Sequence, residues 1–433
     1  MPNRTQKMRR ALMRVNTRLL LSAVMLLQFA ALSLAAFRGE TVSVQTLIFA
    51  FAVPIATMAV TLLTSKLWPV DRAILILVLF LLSIGVITLS AIAKSESTPR
   101  THAIYVLAGL VAMLFGAQFI RSWKTWKKYA PYLAVLCLIA LATPYLPKIG
   151  VYKNGARNWI QIIPDKLTIQ PSEFMKPVLI VVLASGFSNR PRFVKCLPTI
   201  AFAALCCAIL LSEHDLGAVL LYYLTTVFMY YAATSNALLT LAGLGMGGGA
   251  AVIAYHAFEY VRDRIAIWKN PWIDPQKTGY QLVQSLIAIG SGGLFGMGLG
   301  LGSPTKVPLY HSDFIFASIA EEFGLIFAVG LLAIYAIIIL RGLIVAMNAR
   351  TSFHSLTAFG LVVLLGLQTM LIVGGTTKLL PLTGVTLPLV AYGGSSLVSG
   401  CLSMGILIGI SSMNAEDEAR DIERIALIEE AEL

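Results

Sequence analysis

Asp313 stands directly before a long apolar segment, residues 314–340, and its type and place suggest chemistry. An acidic side chain beside a membrane-type segment is costly, and such residues are usually functional. The alternative is that Asp313 caps the helix that follows, with Ser312 as a competitor. Glu321 and Glu322 lie about two turns further along, and at least one is expected to face a polar interior.

Glu173 and Lys176 form a second charged pair, near the start of another apolar segment. Residues three apart on a helix share a face, so the two side chains can form an internal ion pair. They can also belong to a polar pocket, and the two interpretations are compatible. Asp215 precedes a further apolar segment, where it is predicted to cap a helix.

The loop 147–171 carries Arg157 and Trp159 after an Asn154-Gly155 dipeptide. An Asn-Gly pair predicts a turn. Trp159, taken alone, is typical of a side chain that anchors a membrane protein at the interface.

The composition indicates a membrane protein. Of the 433 residues, 58% are hydrophobic and 12% are charged, and the mean hydropathy is +0.80; these values exclude a soluble globular protein. The net charge of +12 comes from Lys and Arg in short runs between apolar segments. Such runs are typical of orientation signals rather than of nucleic-acid binding. The five cysteines lack the spacing of a metal site or a disulfide framework.

Twelve segments are apolar enough to span a bilayer, which takes ~20 residues. They are residues 19–37, 44–65, 73–93, 103–120, 129–146, 172–187, 196–212, 216–233, 238–258, 314–340, 356–373 and 385–410. The sixth is the weakest because it includes Glu173 and Lys176. The sequence therefore predicts an all-α fold, a polytopic integral membrane helical bundle.

The positive-inside rule places the basic N-terminus and the basic loop 121–128 in the cytoplasm. Twelve spans return the acidic tail, residues 412–433, to the same side, so both termini are predicted to be cytoplasmic. The two large loops, 147–171 and 259–313, are then outside.

Two further segments are predicted to depart from regular spanning helices. In the loop 259–313, residues 282–289 predict an interfacial or re-entrant helix, followed by a glycine-rich run. No strand precedes these glycines, so a nucleotide-binding loop is rejected. The segment 374–396 contains prolines and paired glycines, and irregular backbone at membrane depth indicates the wall of a cavity.

Several ordered blocks of sequence resemble the SEDS family (FtsW/RodA/SpoVE). The blocks are Asn154-Gly155-Ala156-Arg157-Asn158-Trp159-Ile160, Gln170-Pro171-Ser172-Glu173-Phe174-Met175-Lys176, Asp215-Leu216-Gly217, Gly279-Tyr280-Gln281, His311-Ser312-Asp313-Phe314, Glu321-Glu322 and Tyr392-Gly393-Gly394-Ser395-Ser396. The resemblance covers about residues 73–411 and implies a core of ten spans. Residues 1–72 then add a basic cytoplasmic N-terminus and two further helices. His214, Ser312 and Ala391 depart from the usual family residues, and the branch (elongation, division or sporulation) stays open.

The resemblance implies a peptidoglycan glycosyltransferase that polymerises lipid II at the outer face of the bacterial cytoplasmic membrane. The family's essential aspartate corresponds to Asp313, which is therefore the expected catalytic residue and general base. The expected substrate-binding residues are Trp159, Arg157, Glu173, Lys176, Gln281, His311, Lys378 and Ser395. Among these, the cations would offset the charge of a diphosphate leaving group. A divalent cation (Mg²⁺ or Mn²⁺) is expected to assist, its ligands are unknown, and no nucleotide or organic cofactor is expected.

The expected partners are lipid II, nascent glycan, a class B penicillin-binding protein and other membrane proteins of the elongasome or divisome, with no nucleic acid. Two alternatives stay open. A lipid II flippase would also need a polar cavity, although transporters place their binding groups near the bilayer midplane. A non-catalytic scaffold for wall-synthesis proteins would need no particular carboxylate.

Overall fold

The structure is a computed structural model that describes residues 16–38, 42–122, 126–147, 149–153, 155–163, 167–189 and 192–431. The basic segment before Asn16, part of the basic loop 121–128 and the turn residue Asn154 lie outside these ranges. The described residues form fourteen α-helices: α1 (Thr17–Ala36), α2 (Val44–Leu67), α3 (Arg72–Ile92), α4 (Ser97–Ser122), α5 (Trp126–Ala142), α6 (Pro171–Phe187), α7 (Phe193–Ser212), α8 (Leu216–Thr234), α9 (Ala237–Ala257), α10 (Glu259–Lys269), α11 (Tyr280–Gly292), α12 (Ile315–Asn348), α13 (Ser352–Thr376) and α14 (Gly394–Ala431).

Eleven helices in the described part of the chain are long and apolar enough to cross a membrane. They correspond to eleven of the twelve predicted segments. The remaining segment forms α6, which is 17 residues long and carries Glu173 and Lys176. Its length and its charges explain why it is the weakest by hydropathy, yet most of its residues are buried in the bundle. The prediction of a polytopic helical membrane protein is confirmed.

α3 forms the centre of the bundle, because nearly all of its residues are buried. At one end, the Arg341 guanidinium pairs with the Asp71 carboxylate at 2.8 Å, and the Asp71 amide donates to Ser411 Oγ at 2.9 Å. These contacts fasten α3, α12 and α14 together. The other end, called the site end below, holds the connections between α5 and α6, between α9 and α12, and between α13 and α14.

The connection between α5 and α6 contains a three-stranded antiparallel sheet: β1 (Gly150–Lys153), β2 (Ala156–Ile163) and β3 (Leu167–Ile169). Val151 pairs with Trp159, and Gln161 pairs with Thr168. The sequence analysis predicts only a loop here, because strands this short give a weak periodic signal. The predicted turn fits Gly155, whose φ of +82° is the left-handed conformation that glycine adopts readily.

The last spanning helix begins later than predicted. The prediction starts at residue 385, whereas α14 begins at Gly394 and the preceding segment, residues 381–393, is irregular. Pro388 cannot donate a backbone hydrogen bond in a helix interior, which favours an irregular segment. α14 then continues without a break to Ala431, so the described part of the acidic tail, residues 412–431, is a helical extension of the last span.

α12 is broken at Gly324, which has φ of +84°. In a regular helix the carbonyls of Glu321 and Glu322 would accept from residues 325 and 326. They accept instead from the amides of Met297 and Gly298, at 2.8 and 3.0 Å, while residues 325 and 326 donate to the carbonyls of residues 293 and 294. A span needs every backbone group paired within the protein. The chain that follows α11 therefore lies beside α12 and pairs with it. The segment predicted to be an interfacial or re-entrant helix, residues 282–289, lies within α11, and its depth in the bilayer stays a prediction.

Candidate active site

A cavity of about 990 Å³ opens among the loops at the site end. Its walls come from β2, the starts of α6, α11 and α14, helix α10, and the irregular segments before α12 and α14. Six of the predicted site residues line it: Trp159, Glu173, Gln281, His311, Asp313 and Ser395. Residues distant in sequence thus meet in one chamber with polar and apolar walls, as the cavity-wall prediction for residues 374–396 requires.

Asp313 lies in the wall of this cavity and is partly exposed to it. Burial raises the pKa of its carboxyl to about 6, against the opposing effects of the Ser312 hydroxyl and the Arg264 guanidinium. The segment that carries Asp313 is held on both sides. The Tyr392 amide donates to the His311 carbonyl at 2.9 Å, and Ser318 Oγ donates to the Tyr310 carbonyl at 3.1 Å.

Arg264 is the one Arg or Lys among the described residues that line the cavity. It projects from α10, and its Nη1 donates to the Leu382 carbonyl at 3.1 Å. Burial lowers its pKa, and the carboxylates of Asp215 and Asp313 oppose that shift. Arg264 is not among the site residues predicted from the sequence. Helical spacing is the missed signal, because Arg264 and Trp268 are four residues apart on one face and both line the cavity.

Asp215 joins the sheet to two helices. Its Oδ1 accepts from the Ala218 amide at 3.0 Å, so the predicted helix cap is confirmed. Its Oδ2 accepts from Asn158 Nδ2 at 2.8 Å and from Gln170 Nε2 at 3.0 Å. The sequence analysis misses this second function, because it depends on contacts between segments more than 40 residues apart. Asp215 therefore fixes the place of β2 beside the cavity.

Glu213, two residues before Asp215, is almost completely buried. Its Oε1 has no hydrogen-bond partner among the described residues. Burial, and then the nearby charge of Asp215, raises the pKa of its carboxyl to about 8. Glu213 is therefore mainly protonated at neutral pH, although it does not line the cavity.

Glu173 and Lys176 form a buried ion pair on the first turns of α6. Lys176 Nζ lies 2.7 Å from both carboxylate oxygens of Glu173 and 3.3 Å from Gln368 Oε1. Pro171 occupies the first helical position, where its fixed φ suits a helix start and its lack of an amide hydrogen costs nothing. Glu173 lines the large cavity, whereas Lys176 faces a separate space of about 30 Å³ behind it.

Two other predicted cations also lie outside the cavity lining. The Arg157 side chain donates to the carbonyls of Pro144 and Tyr145, at 3.1 and 3.4 Å, and stacks on the Tyr145 ring. Lys378 contributes its carbonyl, which accepts from Trp268 Nε1 at 3.1 Å. Arg157 thus fastens β2 to the end of α5, and the backbone of Lys378 supports α10.

Four helices begin at the cavity: α6, α8, α11 and α14. The start of a helix carries unpaired amide groups and a partial positive charge, which favour anions. Together with Arg264, these helix starts offset part of the negative charge of the three carboxylates in the lining.

The lining contains three carboxylates: Glu173, Asp215 and Asp313. Asp215 is occupied by its amide donors and Glu173 by Lys176. The described part of the chain has no group of three or more His, Cys, Asp or Glu that could hold a metal. These residues do not form a complete protein metal site, although Mg²⁺ is often held by one carboxylate together with substrate phosphates.

Comparison with known proteins identifies the family. The family model described as "Cell cycle protein" (FtsW/RodA/SpoVE) matches residues 67–416. Peptidoglycan glycosyltransferase RodA of Mycobacterium tuberculosis H37Rv is 36% identical over 325 residues, covering 71% of this chain and 69% of that protein. Probable peptidoglycan glycosyltransferase FtsW of Geobacter sulfurreducens is 35% identical over 359 residues (79% and 95%). Stage V sporulation protein E of Bacillus subtilis is 31% identical over 368 residues (81% and 99%).

Solved structures share the fold. A chain from the work described as "Structural coordination of polymerization and crosslinking by a peptidoglycan synthase complex" has a TM-score of 0.69 at 25% identity, covering 80% of this chain and 98% of that chain. The Thermus thermophilus rod shape determining protein RodA has a TM-score of 0.60 at 26% identity, covering 79% and 96%. With the family model matching most of its length, this chain belongs to the FtsW/RodA/SpoVE family of cell cycle proteins.

Proposed function

We infer that this chain is a peptidoglycan glycosyltransferase and propose that it polymerises lipid II in the cavity at the site end, with Asp313 as the general base. The single observation that carries the assignment is the placement of Asp313 in one cavity with Arg264 and four helix starts. The relatives named peptidoglycan glycosyltransferase supply the reaction class.

In the proposed reaction, a sugar hydroxyl of one lipid-linked disaccharide attacks the anomeric carbon of another with inversion. The bond from that carbon to the undecaprenyl diphosphate breaks, and the diphosphate leaves with the bonding electrons. Asp313 accepts the hydroxyl proton, a contribution of roughly 10²- to 10⁴-fold to the rate. A pKa of about 6 suits this role, because the carboxyl is mainly ionised at neutral pH.

We assign the diphosphate to Arg264 and the helix starts of α6, α11 and α14. Preorganised cations and backbone amides stabilise charge that develops on a leaving group. The sequence-predicted cations Arg157, Lys176 and Lys378 have no side chain in the cavity lining, so we give them supporting positions around it. Trp159, Gln281, His311 and Ser395 are our proposed contacts to the sugars.

A divalent cation fits this cavity if the substrate supplies most of its ligands. Asp313 is the carboxylate with oxygens left to offer, and diphosphate oxygens would complete the coordination. When bound, such an ion supplies positive charge to the leaving group.

We propose that the site end faces outward, with both termini in the cytoplasm of a bacterium. The basic loops at the opposite end support this orientation. We further propose a class B penicillin-binding protein as partner, together with other elongasome or divisome proteins. The similarity to a chain studied in a peptidoglycan synthase complex supports that assignment.

The test is polymerisation of lipid II by the purified protein, alone and with its class B penicillin-binding protein. Asp313→Asn removes the base, so we expect the rate to fall at least ~100-fold. Asp263→Asn, at an exposed carboxylate on α10, is the matched control and should polymerise like the wild type. Equal chain formation by Asp313→Asn would exclude Asp313 as the base. If lipid II crosses vesicle membranes and neither the wild type nor a variant forms chains, the result would favour a flippase. If the protein shows neither transport nor polymerisation, the result would favour a scaffold.

A further inference from the structure

The N-terminal hairpin, defined as α1 and α2, precedes the region matched by the family model, which begins at residue 67. It nevertheless contacts the core at the site end. Ser43 Oγ donates to Glu96 Oε1 at 3.0 Å, and Gln45 Nε2 donates to the Glu96 carbonyl at 2.9 Å. These bonds fix the start of α2 to the connection between α3 and α4.

The end of α1 also packs against the segment that leads to Asp313. Ala35 forms a buried apolar cluster with Ala91 and Ile92 of α3, and Leu299 and Tyr310 pack against this cluster. Tyr310 is three residues before Asp313. An added helix therefore shares a small core with the chain that carries the proposed base.

Arg38, just beyond α1, makes the second contact. Its guanidinium lies over Gly300, so closely that a Cβ at that position would collide with it. Gly300 has φ of +68°, and its amide donates to Glu322 Oε2. Glycine at position 300 thus permits both the left-handed backbone conformation and the close approach of Arg38.

Residues 293–303, called the glycine loop, lead along the chain from this contact toward Asp313. The loop fills the break in α12, and its last residue, Ser303, donates its amide to Glu321 Oε1 at 2.9 Å. Ten residues further along, the chain reaches Asp313, after Tyr310 has packed against the cluster that includes Ala35. Arg38 and Ala35 therefore hold this path at two points, near its start and near its end.

We propose that the N-terminal hairpin is a brace for the segment that carries Asp313, and that Arg38 is a positioning residue for the glycosyl transfer. This inference rests on the proposed function. Arg38 does not touch the cavity. It acts by holding the glycine loop against Glu322, which fixes where the chain returns to the cavity mouth.

The experiment compares Arg38→Gln with Arg38→Lys in the full-length protein, using lipid II polymerisation and thermal melting. A small displacement of a catalytic group costs up to about 100-fold in rate, so we expect Arg38→Gln to lower kcat about tenfold. The KM for lipid II and the melting temperature should change little, because Arg38 is exposed and outside the cavity. Lysine keeps the charge and should restore part of the rate.

Lys66→Gln is the matched control, since it removes one exposed positive charge from the far end of the same hairpin. It should leave kcat unchanged. If Arg38→Gln has the kcat of the wild type, the proposal that the hairpin is a brace is wrong. It is also wrong if Arg38→Gln lowers both kcat and the melting temperature and Arg38→Lys restores neither. A wild-type protein that forms no chains, alone or with its partner, would instead overturn the proposed function itself.

Discussion

Asn158 Nδ2 donates to Asp215 Oδ2 at 2.8 Å, and this bond joins the sheet at the site end to the start of α8. Both residues also line the cavity. The same Asp215 oxygen accepts from Gln170, immediately before α6. One carboxylate therefore sets the relative places of β2, α6 and α8, and with them the places of Trp159 and Glu173.

Replacing Asn158 tests this junction. Asn158→Ala removes a hydrogen bond to a charged acceptor, which typically contributes ~1.5–3 kcal/mol. We expect a lower melting temperature and a lower polymerisation rate. Asn158→Asp should be worse at neutral pH, because it places a second carboxylate against Asp215. Gln161→Ala, on the same strand but outside the cavity, is the control; an equal loss there would show that any change in β2 is damaging.

Arg264 and Arg262 lie two residues apart on α10 and offer a paired test of diphosphate recognition. Arg264→Gln should lower kcat/KM by roughly 10²-fold, the usual effect of removing one preorganised donor to developing charge. Arg264→Lys should recover part of that loss, because it keeps the charge without the planar fork of donors. Arg262 is exposed and donates to the His256 carbonyl, so Arg262→Gln should leave kcat/KM near the wild-type value. The opposite ranking would contradict the assignment.

Lys176 is predicted from the sequence to contact substrate, but its geometry favours a structural contribution. Lys176→Met leaves the Glu173 carboxylate buried without its partner, and breaking such a pair typically costs ~3–5 kcal/mol. We expect a large fall in melting temperature. Glu173→Gln combined with Lys176→Met should recover much of the stability and little of the activity, because Glu173 lines the cavity. A stable but inactive Lys176→Met protein would support direct substrate contact instead.

Most of the fold and part of the candidate site can be predicted from the sequence. Spanning helices are predictable because the bilayer demands continuous apolar length, and α6 is harder because it places Glu173 and Lys176 in its first turns. Asp313 can be identified from the sequence because it is a carboxylate beside an apolar segment, where an acidic side chain is costly. These signals are local and need no knowledge of which helices are neighbours.

The remaining features depend on contacts between distant segments. Asp215 shows locally only as a helix cap, and its bonds to Asn158 and Gln170 appear once the sheet is placed. Arg157 and Arg264 are chemically alike, and only the tertiary structure determines that Arg157 faces the end of α5 while Arg264 faces the cavity. The break at Gly324 is likewise understandable only with the glycine loop beside it.

A divalent cation should depend on the substrate for its binding. Chelation with EDTA should lower the polymerisation rate, and Mg²⁺ or Mn²⁺ should restore it. Because the described residues offer no three-ligand site, Mg²⁺ alone should leave the melting temperature unchanged, whereas Mg²⁺ with lipid II should raise it. A shift with Mg²⁺ alone would reveal a protein site and contradict this account.

The pH dependence of the rate should report the pKa of Asp313. A general base must be ionised, so polymerisation should increase with pH through about 6 and then level off. Glu213, with a pKa of about 8, is the competing source of a titration. If the midpoint lies near 8 and moves in Glu213→Gln, then Glu213 controls the rate and Asp313 does not.

The same carboxyl should make stability depend on pH in a defined direction. Because folding raises the pKa of Asp313 above its ordinary value of 3.8, the folded protein binds more protons than the unfolded chain between about pH 4 and 6. The contribution of this group to stability is therefore complete below pH 4 and is lost as the pH rises through 6. Asp313→Asn stays neutral at every pH, so it should melt higher than the wild type at pH 7.5 and the advantage should disappear near pH 4. A variant that melts lower at pH 7.5 would mean that the ionised carboxylate stabilises this segment.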